Sequence, residues 1–242
     1  MAGFERIALV TGANKGIGYE IARQLGQQGI TVLIGARDEA RGHEAASRLR
    51  AEGIKAEHVR LDVLDHLTID RAAGYIEGKY GKLDILVNNA GIFLQEKPPS
   101  ENDVATLLQV YDTNVFGVFQ TTQAMLPLLR KSEGGRIVNM SSSLGSLTLN
   151  SDPGFELASF LVLGYNSSKT AVNALTVFFA NELRNTPIKV NSADPGYCAT
   201  DMTGHAGSRS PAEGAFAAVR LATLPPDGPT GAFFNEDGPV PW

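Results

Sequence analysis

The stretch Ile7-Ala8-Leu9-Val10-Thr11-Gly12-Ala13-Asn14-Lys15-Gly16-Ile17-Gly18 decides the fold. Its first four residues are apolar without alternation, as in a strand buried on both faces. Glycines 12, 16 and 18 then bracket a turn into a helix, on which Ile17, Ile21, Ala22 and Leu25 recur at helical spacing before Gly29. Where side chains are missing, backbone N–H groups can approach a diphosphate, and the helix N-terminus adds partial positive charge. A dinucleotide is the natural ligand of such a turn, although the spacing is G-x-x-x-G-x-G rather than G-x-G-x-x-G. Taken alone, the same glycines also suit a tight strand-to-helix connection with no ligand.

Outward from this stretch, short apolar runs alternate with longer amphipathic ones, the signature of βαβ units. Strands are expected at 31–34, 57–61, 83–87, 136–140, 188–191 and 232–234. Helices are expected at 38–52, within 100–131 and at 165–183, with Pro127 limiting the second near its end. These pieces predict an α/β fold, a doubly wound parallel sheet with helices on both faces. No repeat or interdomain linker divides the 242 residues, and Pro225-Pro226-Asp227-Gly228-Pro229 lies too near the C-terminus to release a second domain.

Composition narrows the partners. With 43% apolar and 19% charged residues the chain has ample core material. The 21 Lys and Arg against 26 Asp and Glu, net charge −5, offer no cationic field for nucleic acid. No window approaches a bilayer span, and residues 1–6 lack the charged start of a secretory leader. A single cysteine, Cys198, allows no intrachain disulfide and suits a cytoplasmic location. Glycine is enriched, 26 of 242 or about 11% against ~7% on average, and the turn at 12–18 accounts for part of that surplus.

Further motifs follow in order: Asn88-Asn89-Ala90-Gly91 after the fourth strand, Asn114 in the long helix, Ser141-Ser142-Ser143 after the fifth, Tyr165-x-x-x-Lys169, and Pro195-Gly196 after the sixth. With the glycine turn, they make the chain resemble the short-chain dehydrogenase/reductase family over nearly its whole length. The resemblance implies one Rossmann-type domain of seven parallel strands, a nicotinamide dinucleotide, no metal, and a catalytic tetrad of Asn114, Ser142, Tyr165 and Lys169. It assigns Ser142 to polarising a substrate carbonyl and Asn114 to supporting a water path to Lys169. One helical turn separates Tyr165 from Lys169, so both emerge on one helix face, where an ammonium is expected to lower the phenol pKa toward the working pH. Tyr165 is then placed to act as general acid.

Strand two ends in Gly35-Ala36-Arg37, where an acidic residue would favour NAD and an arginine accommodates the extra phosphate of NADP. Lys15 and Arg41 are expected to add cations on the same side, while Asp38 reads as a helix N-cap. NADP(H) is therefore the expected cofactor, held at Gly12, Asn14, Lys15, Gly16, Ile17, Gly18, Arg37 and Arg41. By the resemblance, Asp62 and Val63 contact adenine, and Asn89, Ala90, Gly91, Tyr165, Lys169, Pro195, Gly196, Cys198, Thr200 and Met202 complete the cofactor site. Within the family the chain looks most similar to carbonyl reductases, through residues 14–18, Ala36-Arg37-Asp38, Pro195-Gly196-Tyr197, Thr200-Asp201-Met202 and Trp242. At Cys198 that group commonly carries an aliphatic residue, and a buried cysteine can replace one as a small hydrophobe or add oxidation sensitivity.

The family resemblance makes the segment between Ser142 and Tyr165 long, and it is unusually apolar for a loop. Such a run at about 144–163 has to cover something. It reads either as a wall over the substrate, with Phe155, Phe160 and Leu161, or as packing over the helix that begins at Tyr165. In either case it would obstruct a helix surface through which family members dimerise, so a monomer is expected. Phe93 and Tyr197, in the other variable loops, complete the candidate pocket. The expected activity is NADPH-dependent reduction of a small ketone or aldehyde. A 3-oxoacyl thioester or a steroid is the alternative substrate, and a non-catalytic NADPH sensor the alternative class, which the intact Tyr165/Lys169 pair disfavours.

Overall fold

Successive side chains of β1 (Ile7–Thr11) enter two different cores, which explains its uninterrupted apolar sequence. Ala8 and Val10 join Val32 and Ile34 of β2 (Thr31–Ala36) on one face. Ile7, Leu9 and Leu33 point to the other. The computed structural model describes residues 5–242; the first four, on which part of the leader expectation rests, lie outside the described residues.

The first core is closed by α1 (Gly16–Gln27), α2 (Glu39–Ala51) and α9 (Phe216–Ala222), through residues such as Ile21, Leu25, Leu49 and Leu221. The second is closed by α3 (His66–Tyr80), α5 (Gly117–Leu129) and α7 (Leu163–Glu182), through Ile69, Ile76, Met125, Leu129 and Ala180. Between them lie β3 (Ala56–Arg60), β4 (Ile85–Asn88), β5 (Arg136–Met140), β6 (Lys189–Ala193) and β7 (Phe233–Phe234). All neighbours pair parallel in the order β3-β2-β1-β4-β5-β6-β7. The chain reverses direction across the sheet between β1 and β4, which opens a crevice at the carboxyl ends of the strands.

The expected doubly wound parallel sheet is present, with differences in detail. The sequence reading did not anticipate α3, the short α6 (Leu147–Asn150) and α8 (Pro211–Gly214), or α9. The long helix at 100–131 is divided into α4 (Val104–Tyr111), a π turn over Asp112–Phe116 and α5. Pro127 is tolerated inside α5, two residues before its end. Asp38 caps α2 by accepting from the Arg41 amide at 2.9 Å, as an N-cap does.

A polar ladder crosses the second core. Asn88, Asn139 and Ser192 lie side by side in register on β4, β5 and β6. Asn88 donates to Asn139 (2.8 Å) and Thr122 (2.9 Å), Asn139 donates to Thr176 (2.8 Å), and Thr176 shares a hydrogen bond with Ser192 (2.8 Å). All five residues are buried.

Candidate active site

The glycine turn is built by what its glycines exclude. Gly12 and Gly16 adopt φ of 64° and 58°, and a Cβ on Gly12 would stand 3.0 Å from the Ala90 Cα. A Cβ on Gly18 would lie within 2.4 Å of Asn89 Nδ2 and 2.7 Å of the Gly12 carbonyl. Asn89 Nδ2 ties the turn by donating to the Thr11 carbonyl (2.8 Å), while Thr11 Oγ1 accepts from the amides of Asn89 and Ala90 (2.9 and 3.0 Å). Neither Thr11 nor this clamping use of Asn89 was readable from the motif.

The first turn of α1 has no side-chain cap and no acidic residue, so its N–H groups face a cleft of about 620 Å³. Gly12, Asn14, Lys15, Gly16, Ile17 and Gly18 line one wall. Arg37, Asp62 and Val63 lie at one end, Asn89, Ala90, Gly91 and Phe93 at the floor, and Thr200 and Met202 on the opposite rim. Uncapped amides, a cradle that a single Cβ would fill and an arginine at the strand-two end fit a phosphorylated dinucleotide.

Arg41 and Cys198 sit differently from expectation, and Lys15 lines the cleft with a carboxylate partner. The Lys15 ammonium is engaged with Asp201 across the cleft mouth, and Arg41 turns back toward Asp38 at 3.8 Å and does not line the cleft. Cys198 is buried behind the rim loop, its thiol donating to the Pro195 carbonyl (3.3 Å) and packed against Gly214. Burial pushes that thiol up to about 11, so it is packing material and not a reactive thiolate.

Tyr165 and Lys169 occupy one face of α7, the lysine Nζ standing 5.5 Å from the centre of the tyrosine ring. Lys169 is buried and donates to the Met140 carbonyl at 2.8 Å. Gly91 brings the dinucleotide cleft to this pair, since a Cβ there would lie 3.7 Å from Lys169 Nζ and 3.3 Å from Asn114 Oδ1. Asn114 sits in the π turn, with Oδ1 accepting from Ile92 N (2.8 Å) and Nδ2 donating to Ile92 O (2.9 Å) and Ser168 Oγ (3.1 Å). Its side chain is thus committed to fastening the Gly91–Ile92 segment to α7.

The expected drop in the Tyr165 pKa does not occur. Desolvation pushes the phenol well above its ordinary value and the nearby Asp194 carboxylate adds to this, while the Ser142 hydroxyl pulls weakly the other way. Burial likewise lowers Lys169 to about 8 despite the attraction of Asp194. Low polarity disfavours phenolate and ammonium alike, and the resting form is a neutral phenol. Asp194, a buried acid that the motif reading passed over, accepts from the Gly196 amide at 3.0 Å, and burial raises its own pKa.

Phe93 packs edge-to-face on Tyr165 (5.3 Å, 65°) and lines the cleft. Tyr197 is exposed beyond the rim. Phe160 and Leu161 do not face the cleft: they line a separate groove of about 520 Å³ with Asn166, Thr170 and Ala174, on the outer side of α7. Phe155 lines neither cavity. The apolar segment borders α7 across this groove, yet Phe160 and Leu161 stay exposed, at 46% and 59%, so neither side chain is buried as a cover. Among the described residues no three His, Cys, Asp or Glu side chains cluster as metal ligands, and no helix is long and apolar enough to cross a membrane.

A profile of the short chain dehydrogenases matches residues 6–210. The chain is 34% identical to (−)-isopiperitenone reductase of Mentha piperita, covering 98% of both chains. It is 33% identical to carbonyl reductase [NADPH] 1 of Rattus norvegicus, again over 98% of each. The solved structure of salutaridine reductase from Papaver somniferum superimposes with a TM-score of 0.82 at 32% identity, over 96% of this chain and all of that one.

Proposed function

As the chain belongs to the short-chain dehydrogenase family and is thereby an oxidoreductase of C=O and CH–OH groups, we propose that it is an NADPH-dependent reductase of small ketones or aldehydes. The observation that carries this reading is the meeting of the glycine-turn cleft with the Tyr165/Lys169 pair at Gly91. When bound, the reduced nicotinamide supplies hydride to the carbonyl carbon.

The residues of this chain do the rest. Tyr165 holds its proton in the resting state and gives it to the carbonyl oxygen as that oxygen gains charge. Ser142 donates a hydrogen bond to the same oxygen and makes it more electrophilic at carbon. Lys169, fixed by the Met140 carbonyl, stabilises the phenolate left behind, and Asn114 keeps the Gly91–Ile92 floor against α7. Arg37 and the amides of α1 hold the cofactor, and Arg37 sets the preference for the phosphorylated form. Phe93 borders the substrate beside the Tyr165 ring.

Purified protein is expected to consume NADPH, followed at 340 nm, with members of a panel of aryl and alicyclic ketones, aldehydes and quinones. Tyr165→Phe is expected to abolish turnover while NADPH binding stays within about twofold, since the phenol does not line the dinucleotide cleft. No activity on any member of the panel defeats the substrate class, and an active Tyr165→Phe defeats the proton donor.

A further inference from the structure

The helix that carries Tyr165 begins without a cap of its own. Its N-cap residue is Val162, whose side chain cannot accept a hydrogen bond, and its first turn contains no acidic residue. The two amides that an N-cap serine or aspartate would serve, those of Gly164 and Tyr165, nevertheless have a partner. Glu96, 68 and 69 residues away in sequence, accepts from Gly164 N at 2.6 Å and from Tyr165 N at 3.0 Å. The same carboxylate accepts from Asn102 Nδ2 at 2.6 Å, just ahead of α4. The approach requires a glycine at 164, because a Cβ there would stand 2.8 and 3.0 Å from the two Glu96 oxygens. Three residues before Glu96 on the same loop, Phe93 rests on the Tyr165 ring.

We propose that Glu96 is a positioning residue that fastens the substrate-side loop, Phe93–Pro99, to the start of the catalytic helix. Tyr165 is held by that loop at two points, its amide by Glu96 and its ring by Phe93. A residue at 162 with a short acceptor would cap the helix equally well, but it would leave the loop free. Using a distant carboxylate makes the wall beside the substrate and the proton donor move as one body. The catalytic part of this proposal rests on Tyr165 acting as the proton donor.

The test separates capping from fastening. Glu96→Ala is expected to lower kcat at least tenfold while the NADPH dissociation constant stays within twofold, because Glu96 does not line the dinucleotide cleft. Amide hydrogen exchange is expected to rise together in segments 92–99 and 163–167. Adding Val162→Asp to Glu96→Ala supplies a local cap, and is expected to restore protection at 163–167 and the melting temperature, but neither protection at 92–99 nor kcat. Glu96→Gln, which keeps an acceptor oxygen, is expected to fall between wild type and Glu96→Ala in both readouts. Unchanged kcat in Glu96→Ala, exchange confined to one segment, or full recovery of kcat in the double variant overturns the proposal. If the wild-type protein reduces no carbonyl, the reductase reading fails by itself. The exchange pattern then decides alone: joint opening of both segments upholds the fastening by Glu96, and any other pattern refutes it.

Discussion

Replacing Arg37 by alanine tests the cofactor assignment. At the end of β2, Arg37 lines the cleft beside Ala36, Leu61 and Asp62. Of the two other cations expected to help, Lys15 lines the same cleft paired with Asp201 and Arg41 turns toward Asp38 outside it, so Arg37 is the cleft cation at the end of strand two. A hydrogen bond to a charged group contributes about 1.5–3 kcal/mol. Because Arg37 is exposed on the cleft rim, solvent screening favours the lower end, roughly 1.5 kcal/mol. At about 1.4 kcal/mol per decade, the NADPH dissociation constant should rise roughly tenfold. NADH lacks that phosphate and should bind within about twofold of its affinity for the wild type. Titration calorimetry with both dinucleotides reads the difference directly. Gly18→Ala serves as the contrast, because a Cβ 2.4 Å from Asn89 Nδ2 disrupts the turn itself and should weaken both ligands alike. High salt should shrink the NADPH preference of the wild type and leave Arg37→Ala little changed. An equal loss for NADPH and NADH in Arg37→Ala, or none, would refute the reasoning that this guanidinium selects the cofactor.

Two further predictions follow from burial. Lys169 falls from its ordinary 10.5 to about 8 in the folded chain, so between those values the unfolded chain binds more protons and stability should rise with pH. The full effect is about 3 kcal/mol; the urea midpoint of the cofactor-free protein should climb relative to that of Lys169→Met from pH 8 to 10, and parallel curves would contradict the assignment. Cys198, raised to about 11 and sealed behind the rim loop, should resist iodoacetamide at pH 8 in the folded protein and react once urea unfolds it. Mass spectrometry counts the label, and modification of folded protein at the rate of a free thiol would show the cysteine to be accessible.

What could be read in the sequence was what the backbone demands locally. Strand runs such as Ile7–Val10 and Arg136–Met140 reveal themselves because both faces of the sheet are covered, and Gly12, Gly16 and Gly18 because their turn tolerates no side chain. The helix α3 escaped notice because its buried stripe is narrow, Ile69, Ala72 and Ile76, and is diluted by Gly74, Gly78 and charged neighbours. Long-range partners were the other blind spot. The pairing of Lys15 with Asp201 at the cleft could not be read in the sequence, because the two lie 186 residues apart. Glu96 belongs to no motif, and its partners Gly164 and Tyr165 lie 68 and 69 residues away. The apolar run at 144–163 reads as a cover, yet Phe160 and Leu161 stay exposed beside α7, because an apolar run carries no record of the surface it meets. The Tyr165 and Lys169 spacing places both on one face, yet only the packed environment reveals that burial dominates both groups and that Asp194 is the charge acting on each.

The ladder Asn88–Asn139–Ser192 has a consequence for how much the rest of the chain can change. Sliding β5 by one residue would turn Asn139 to the opposite face, take from Asn88 one of its two acceptors and from Thr176 the amide that donates to it, and leave the Asn139 amide itself without these partners. Each buried group left without a partner costs about 1–3 kcal/mol, a substantial share of a domain's net stability of about 5–15 kcal/mol. Apolar neighbours alone would tolerate such slippage far better. The ladder therefore works as a vernier between strands: it fixes how far the segment carrying Asn89 and Gly91 stands from the one carrying Ser142. Loops above the sheet can lengthen or change composition without detuning that spacing.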